Sequence, residues 1–310
     1  MNYFKNLMMT VIASLATASF VSAQDGAAMP FTLIARNPVS VGMGFSGIAS
    51  VHDAEYSSFR NSSVLPFAAE RFSVGVSGQV WAPHGVTSTN LAFGSAFKAG
   101  KRLGFSVGGA YQIGEEYTSI DETGNQVGII KTDDLIISIG AGFLVIDNLS
   151  VGVNVRYAAQ TLSSDNSYSA VSTDVFMACR FSGINITAGI SSLGSSIKSV
   201  SGDSFSLPTS ASTGVEWSKS FSEAHSFRLL ADADYYFSGN ITIATGVEYS
   251  FRNLIFLRAG YHIGSDKSPL PAFASAGLGV KFKGFKLNAA YILASEALAG
   301  TLTVGLGYSF

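Results

Sequence analysis

The stretch ITIATGVEYSFRNLIFLRAGYHI, residues 241–263, decides the fold class. Apolar side chains occupy every second position on either side of Arg252-Asn253, with small, polar or charged residues between them. A period of two predicts a β-strand with one apolar face, and two such runs joined by a tight connection predict an antiparallel hairpin. These residues therefore predict two neighbouring strands, each with one apolar face and one face of small, polar or charged residues.

The same alternation continues with little interruption from Arg71 to Phe310, and we count fourteen such segments. Each is close to the ~9–11 residues that a tilted strand needs to cross a membrane. Backbone polar groups in lipid must all be paired, so strands of this kind must close on themselves. The prediction is an all-β fold: a transmembrane, antiparallel, up-and-down β-barrel of 14 strands over residues 71–310.

The connections between the segments fall into two alternating classes. Those after even-numbered segments are tight, as at Asp147-Asn148 and Lys283-Gly284. Those after odd-numbered segments are mostly long and polar, over residues 114–132, 163–167, 192–207 and 264–271, with a short exception at residues 238–240. Short periplasmic turns that alternate with longer outer loops are typical of bacterial outer-membrane barrels, and a soluble β-sandwich or propeller lacks this alternation.

Composition supports a membrane location and excludes several other classes. Charged residues make up only 13% of the chain, about half the usual share, and mean hydropathy is +0.32. A net charge of −2 gives no reason to expect nucleic acid as a partner. The single Cys179 excludes an intramolecular disulfide and a cysteine-cluster zinc site, and no His/Asp/Glu cluster has ligand spacing, so no metal or cofactor is expected.

The N-terminal residues predict export. Lys5 precedes an apolar run from Leu7 to Val21, and Val21-Ser22-Ala23 ends the run with small residues at the spacing of a cleavage site. This pattern is typical of a secretory signal peptide, predicted over residues 1–23, whereas an anchoring helix would need a longer apolar run. We expect the protein to be exported by the general secretory route to the outer membrane of a Gram-negative cell, with its lipid and its barrel-assembly machinery as partners.

Residues 24–70 do not alternate, and we predict that they form a segment that plugs the lumen. They contain Gly42-Met43-Gly44-Phe45-Ser46-Gly47, which has the letters of a dinucleotide-binding fingerprint. No strand–helix–strand unit surrounds it, so that interpretation is excluded. We expect Gly42, Met43, Gly44 and Gly47, with Asn61, to let a compact segment turn tightly and pack against the barrel wall.

The faces opposite the apolar ones carry charges of both signs on segments that should be near neighbours. We predict a polar network in the lumen, and charge pairing that stiffens the barrel is favoured over a polar pathway. Its predicted members are Arg156, Asp174, Arg180, Glu216, Arg228, Asp232, Asp234, Glu248 and Arg258.

The stretches Pro30–Ala35 and Val41–Ala49 resemble the start of the mature chain in the PorV/PorQ family, within the wider FadL-like group of fourteen-stranded plugged barrels. Asp53, Phe59 and Asn61 match residues that follow in that family, whereas Arg60 and Ser62 replace a Trp and a Pro. The last segment looks like the signal that the barrel-assembly machinery recognises, through Val304, Leu306, Tyr308 and Phe310.

Two functions follow from this resemblance. The first is a role in type IX protein secretion, with binding of cargo signal domains at outer-loop residues such as Tyr117, Ile129, Ile130, Phe205 and Leu207. The second is a FadL-like channel for small hydrophobic molecules, with a pocket between plug and wall lined by Phe31, Leu33, Ile34, Met43 and Phe45.

A third alternative, an outer-membrane hydrolase, finds no support in the sequence. The histidines are His52, His84, His225 and His262, and none belongs to a recognisable Ser-His-acid set. His262 lies on a predicted strand and is interpreted as a hydrogen-bonding residue of the lumen. We therefore expect no enzymatic activity.

Overall fold

The computed structural model describes residues 27–83, 87–120, 126–163, 166–198, 204–264, 268–295 and 298–310. The predicted signal peptide, residues 1–23, and His84 lie outside this part of the chain. No helix in the described ranges has the length and apolar character needed to cross a membrane.

The wall is a closed antiparallel barrel of fourteen strands, as the alternation predicted. Each strand pairs with its neighbours in the chain, and the first pairs with the last, Ser73 opposite Ser309 through Val80 opposite Leu302. The wall strands are β1 (Phe72–Trp81), β2 (Ser88–Ala99), β3 (Leu103–Ile120), β4 (Gln126–Ile146), β5 (Leu149–Ser163), β6 (Asn166–Phe181), β7 (Ile184–Gly194), β10 (Ser210–Ser220), β11 (His225–Tyr236), β12 (Ile241–Phe251), β13 (Ile255–Ile263), β14 (Phe273–Phe282), β15 (Phe285–Ala294) and β16 (Leu302–Ser309).

The apolar face of the strands points outward. Large side chains such as Leu278 (60% exposed) and Phe285 (66%) cover the outer surface, and Val304, Leu306 and Phe310 belong to it. Tyr308 is half-buried, and its ring lies 4.8 Å from that of Phe285. A surface of this kind is unfavourable in water and favourable in lipid, where a closed barrel leaves no unpaired strand edge.

The two ends of the barrel differ. We call the end that holds Arg71, Phe310 and the tight hairpins the turn end, and the opposite end the loop end. Lys283 (φ 48°) and Gly284 (φ 85°) join β14 to β15 there with two consecutive left-handed residues. That backbone matches the right-handed twist of the paired strands, which explains how so short a connection is accommodated.

Two connections predicted as long loops contain more regular structure than expected. The predicted loop 114–132 is mostly a hairpin, because β3 extends to Ile120 and β4 starts at Gln126, and Glu116 pairs with Lys131. The predicted loop 192–207 contains a small sheet of β8 (Ile197–Lys198) and β9 (Ser204–Phe205). The polar composition of these segments suggested loops. Antiparallel pairing nevertheless satisfies their backbone hydrogen bonds. A strand that extends past the membrane does not need apolar side chains on its outward face.

The N-terminal segment lies inside the barrel. It contains a short α-helix, α1 (Pro38–Gly42), and 3₁₀ helices at Pro30–Leu33, Ala54–Phe59 and Ser62–Phe67. Asn37 caps α1 by accepting from the Val39 N–H, and Asn61 caps the last 3₁₀ helix by accepting from the Ser63 N–H. Val41, Ser46, Ala49, Ser58 and Ser63 have no solvent-accessible surface. We call residues 27–70 the plug.

Glycines of the wall allow the plug backbone to lie directly on the strands. A Cβ at Gly94 would overlap the Glu55 carbonyl, one at Gly152 the Ser63 amide, and one at Gly260 the backbone of Met43 and Gly44. Any larger residue at these positions would overlap backbone atoms of the plug, and backbone cannot change rotamer as a side chain can. These positions therefore require glycine for a steric reason. The plug is therefore fitted to the wall at several separate points.

Candidate functional site

A cavity of about 160 Å³ lies between the plug and the strands of one side of the barrel. The plug contributes most of its lining, from Thr32 to Val64. The wall contributes side chains from β5, β7, β10, β11, β12 and β13, and a loop-end connection contributes Leu270. The wall residues are Arg156, Ser191, Ser192, Ser210, Asp234, Tyr236, Ala244 and His262.

The sequence identified part of the apolar lining. Leu33, Ile34, Met43 and Phe45 line this cavity, as does Phe59. Phe31 does not: it is 4% exposed and packs in the apolar cluster toward the loop end. Side-chain chemistry was sufficient to select these residues, but which of them face the cavity depends on how the plug folds back on itself.

The inward wall residues toward the loop end are of mixed character. The small and apolar ones form one cluster with Met29, Phe31, Ile34 and Phe45 of the plug: Trp81, Ala92, Ala110, Ile136, Ala158, Ala170, Phe273, Ala290 and Ile292. Leu207, Leu270 and Leu298 from the loop-end connections join the same cluster. Buried polar residues such as Gln79, Asn90 and Asp134 lie on the same parts of the strands, and the ion pairs of Glu248 with Arg228 and Arg258 lie nearer the turn end.

Four of the predicted network residues form a continuous chain of buried ion pairs. Arg228 binds both carboxylate oxygens of Glu248, at 3.1 and 2.9 Å, and lies 3.4 Å from Glu216. Arg258 donates to Glu248 at 2.6 Å. Each of the four side chains is at most 9% exposed. The charges alternate in sign around the wall, so each buried charge has a partner of opposite sign.

The other predicted network residues lie apart from this chain. Arg156 pairs with Asp174 at 2.8 Å, and Asp232 pairs with Arg60 of the plug at 3.0 Å. Asp234 accepts a hydrogen bond from the Ser212 hydroxyl. Arg180 lies at the turn end and donates to the Phe67 carbonyl at 2.8 Å. The predicted set is thus several local groups that hold the plug as well as one another.

The plug motif docks on β11 to β14. The Gly47 and Ile48 amides donate to Asp232, at 2.7 and 2.9 Å, and the Gly44 amide donates to the Ser275 hydroxyl at 3.0 Å. Gly44 (φ 67°) is left-handed, and a Cβ there would lie 2.6 Å from the Tyr261 amide. Gly42 faces Gly277 of β14, where an added Cβ would lie 3.0 Å from the Gly277 Cα. Glycine is required at Gly44 for both conformation and space.

Met43 and Asn61 complete the predicted motif. Met43 is 1% exposed and packs with Val39 and Leu230. The Asn61 amide donates to the Ile48 carbonyl at 2.8 Å, while its oxygen accepts from the Ser63 amide and hydroxyl. Asn61 therefore joins the glycine-rich turn to the 3₁₀ helix that follows it.

A second set of charges holds the plug at the turn end, and sequence reasoning did not identify it. Lys286 of β15 lies 3.6 Å from Asp53 and 3.1 Å from Glu55, and Lys281 of β14 lies 3.2 Å from Glu70. We call these residues the turn-end latch. Lys286 and Glu55 are 231 residues apart in the chain, so no local pattern links them.

A smaller cavity, of about 60 Å³, lies beside the latch. Asp53, Glu70, Arg228, Arg258 and Lys286 are among the residues that line it, and it shares His52 and Asp53 with the larger cavity. The two cavities therefore meet at His52 and Asp53. The larger one is mainly apolar and the smaller one is charged.

Neighbouring cations stabilise the ionised form of the Asp53 carboxyl group. Burial alone would raise its pKa, but the cations of Lys286, Arg228 and Arg258 lower the pKa to about 2. A carboxyl group with a pKa below its unfolded value stabilises the fold above about pH 4, and this contribution is lost as the pH falls toward 2.

We therefore expect Asp53→Asn to lower thermal stability at neutral pH and at pH 5, and to have little effect near pH 2. The measurement is the unfolding temperature of the two proteins between pH 7 and pH 2. A difference that grows toward pH 2 would contradict this assignment of the charge.

Three arginines line the larger cavity, and each is engaged by protein groups. Arg36 of the plug is 6% exposed and donates to the carbonyls of Ile34 and Phe31, at 2.7 and 3.0 Å. Arg60 donates to the Phe45 carbonyl and to Asp232. Arg156 donates to the Phe59 carbonyl at 2.7 Å and to Asp174. Their guanidinium groups thus organise the plug backbone around the cavity.

The described histidines do not form a hydrolytic site. His52 Nε2 lies 3.9 Å from Glu216, and His225 bonds the Tyr249 hydroxyl at 2.7 Å. His262 is buried, its ring stacks on that of Phe273, and its side chain lies against the Gly44 backbone, so its role as a hydrogen-bonding residue stays a prediction. Within the described ranges no group of three or more His, Cys, Asp or Glu residues is arranged to hold a metal ion.

No family model matches the sequence, and no curated protein matches it either. Solved structures do match the fold. The toluene transporter TbuX of Ralstonia pickettii has a TM-score of 0.62 at 13% identity, over 90% of this chain and 99% of that chain. The toluene transporter TodX of Pseudomonas putida has a TM-score of 0.60 at 14% identity, over 88% and 97%. A FadL homologue of Pseudomonas aeruginosa has a TM-score of 0.50 at 12% identity, over 88% and 98%.

These likenesses show the fold. The chain forms a closed fourteen-stranded barrel of the kind found in bacterial outer membranes, and its apolar outer surface fits that location. Since the short turns of such barrels face the periplasm, we expect the turn end on that side and the loop end outside. At these identities they are likenesses of fold alone, and they contain nothing specific to PorV or PorQ.

Proposed function

We propose that this protein is an outer-membrane channel that admits small hydrophobic molecules. The observation that carries the proposal is the cavity between plug and wall, lined by Leu33, Ile34, Phe45 and Phe59 and continuous through Ile34, Phe45 and Leu270 with the apolar cluster. A hydrophobic solute in this cavity would contact apolar side chains of the plug and of that cluster. Transfer from water to such a surface is favourable in proportion to the apolar area removed from water.

The size of the cavity favours solutes of about one aromatic ring. An apolar protein cavity of roughly 150 Å³ stays dry and binds benzene, and the cavity described above has about 160 Å³. The TbuX and TodX structures, which share the fold, are described as toluene transporters, and this supports the same size class here.

We propose a route onward on the same side of the barrel. His52 and Asp53 line both cavities, and the smaller one is bordered by Glu70 and Lys281 near the turn end. We propose that the solute waits in the larger cavity and leaves past His52 when the turn-end latch loosens. The plug then acts as a gate, and the ion pairs of Lys286 set how readily it opens.

The test is uptake by cells. The gene is expressed in a Gram-negative host that lacks its own channels for hydrophobic compounds, and entry of radiolabelled toluene is measured against an empty vector. We expect uptake several-fold above the vector. Ala244→Phe should return uptake to the vector level, because Ala244 faces the cavity and a phenyl group there would occupy it.

The matched control is Thr245→Phe, at the next position of β12, where the side chain is exposed on the outer surface. It adds a phenyl group to the lipid face and should leave uptake unchanged. Uptake that equals the vector with the wild-type protein, or equal behaviour of the two Phe variants, would contradict the proposal.

The type IX secretion role stays a prediction from the sequence resemblance, and we place it second. Of the loop residues suggested for cargo binding, Leu207 is 6% exposed and packs in the apolar cluster, and Phe205 is half-buried. The side chains of Tyr117, Ile129 and Ile130 lie outside the described part. Loss of type IX cargo from the cell surface on gene deletion, with toluene uptake unchanged, would reverse this order.

A further inference from the structure

We propose that the outer surface of strands β10–β13, at the turn end, binds the headgroup of an anionic phospholipid between Lys219 and Arg252. The occupant is a lipid of the leaflet that surrounds the turn end. This inference goes beyond the proposed channel function and does not depend on it, because the surface lies on the outside of the wall and the cavity lies inside.

Aromatic side chains form a continuous patch on the outward face at this end. The ring centroids of Phe221 and Phe227 lie 5.7 Å apart, and those of Phe227 and Tyr249 lie 5.1 Å apart. His225 Nδ1 lies 2.7 Å from the Tyr249 hydroxyl, and its ring centroid lies 5.5 Å from that of Phe251. We call these five residues the aromatic patch. Aromatic girdles mark the level of the membrane–water interface in outer-membrane barrels, so the patch lies at headgroup level.

A cation lies at each edge of the aromatic patch. Lys219 Nζ is 5.2 Å from the ring centroid of Phe221, and the guanidinium carbon of Arg252 is 5.3 Å from that of Phe251. Both side chains are exposed, and none of the ion pairs among the described residues includes either one. A basic side chain that lies along an aromatic ring holds its charge at the interface while its stem contacts apolar surface.

The two cations are close enough to share one phosphate. Lys219 of β10 lies opposite Phe227 of β11, Phe227 lies opposite Tyr249 of β12, and Arg252 follows the end of β12. Two strand spacings therefore separate the cations, or roughly 10 Å across the wall. Two flexible side chains can close this distance on one phosphate group.

The charge at the two ends of the barrel favours an anionic partner at the turn end. Residues 114–134, toward the loop end, contain six acidic residues and one lysine. The turns of the turn end are rich in exposed basic residues instead, and their exposed acidic residues are Asp147 and Glu223. Glu223, in the turn between β10 and β11, offsets one of the two positive charges and leaves the surface cationic. Basic residues at the membrane surface attract lipids with a net negative charge.

Apolar side chains continue the surface toward the middle of the membrane. Trp217 faces outward, opposite Ile184 of β7 and Leu229 of β11, and Val247 lies beside Leu229. The acyl chains of a lipid can lie on these residues while its headgroup stays at Lys219. Trp217 is two residues before Lys219 on the same face of β10, so it reports which lipid lies there.

The test is quenching of Trp217 fluorescence by brominated lipid. Trp81, in the lumen, is replaced by Phe so that Trp217 alone is observed. The protein is placed in phosphatidylcholine bilayers that contain either brominated phosphatidylglycerol or brominated phosphatidylcholine at the same mole fraction. We expect the anionic lipid to occupy the surface about fivefold more readily, which is the effect of roughly one unbalanced cation. At 1 M salt the preference should fall toward one, because the charges are screened.

Four variants assign the preference to this surface. Lys219→Met keeps an apolar stem without the charge, and it should bring the preference close to one because Arg252 and Glu223 then balance. Lys219→Arg should retain the preference, and Glu223→Gln should raise it. The matched control is Lys101→Met, which makes the same change at an exposed lysine of the β2–β3 turn and should leave the preference unchanged.

Equal quenching by the two lipids, a preference that survives 1 M salt, or the same behaviour of Lys219→Met and Lys101→Met would overturn the proposal. If Lys219→Met does not fold, the salt dependence and Glu223→Gln decide. Toluene uptake by Lys219→Met should equal that of the wild-type protein, so a failure of the lipid surface is distinguishable from a failure of the channel.

Discussion

Arg228→Met is expected to lower the free energy of unfolding of the barrel by about 3–5 kcal/mol. Arg228 is the centre of the buried chain: it binds Glu248 through two nitrogens, faces Glu216, and donates to the Ser50 hydroxyl of the plug at 3.0 Å. Methionine has a similar volume, but it removes the positive charge that pairs with both Glu216 and Glu248. The measurement is urea unfolding of the protein in lipid, followed by tryptophan fluorescence and by the heat-modifiable gel mobility of folded barrels.

A surface substitution provides the control. Arg252→Met changes an exposed arginine in the β12–β13 turn and should cost less than about 1 kcal/mol. The double variant Arg228→Met with Glu216→Gln should recover part of the loss, because Glu216 loses its arginine partner whereas Glu248 keeps Arg258. If Arg228→Met unfolds like Arg252→Met, the buried chain does not stabilise the barrel.

Gly260→Ala is expected to displace the plug from the wall. The added Cβ would overlap the backbone of Met43 and Gly44, at the place where Gly44 is also tied to Ser275. Overpacking commonly costs about 1–3 kcal/mol, and the cost is at the upper end or beyond where the neighbour is backbone. We expect larger single-channel conductance in planar bilayers and faster proteolysis of residues 27–70, with the barrel itself still folded.

Gly78→Ala is the matched substitution, because the nearest atom to a Cβ at Gly78 is 3.8 Å away, on Leu91. It makes the same chemical change within a strand and should keep the low conductance of the wild-type protein. Gly152→Ala tests the principle at a second point, since a Cβ there would overlap the Ser63 backbone. Low conductance in both Gly260→Ala and Gly152→Ala would show that the plug accommodates the methyl group or that its position does not control conductance.

The outward faces of the strands were predictable because their pattern is local. The alternation in Ile241–Phe251 and Ile255–Ile263 shows which face of the strand each residue occupies. Because lipid lies outside the barrel, the apolar face must be the outward one. Register in the tight hairpins follows from connections such as Arg252-Asn253 and Lys283-Gly284. The hairpin inside residues 114–132 was missed because its sequence is polar and does not alternate, although its backbone pairs across β3 and β4.

The inward faces were predictable only in part. Arg156, Arg228 and Glu248 were recognised as lumen residues from their position on the strands, but their partners lie on other strands or on the plug. The alanines at 92, 110 and 158 gave no signal, since a small residue fits either face, and yet they belong to the apolar cluster that contacts the plug.

By itself the sequence determined that this chain spans an outer membrane as a fourteen-stranded barrel, because lipid outside and backbone pairing within the wall act on every strand in the same way. Only the tertiary structure decided where the plug lies, that the backbone of Met43 packs on Gly260, and that Lys286 pairs with Asp53 and Glu55. These contacts join residues about 200 positions apart, and closure of the barrel around the plug is what brings them together.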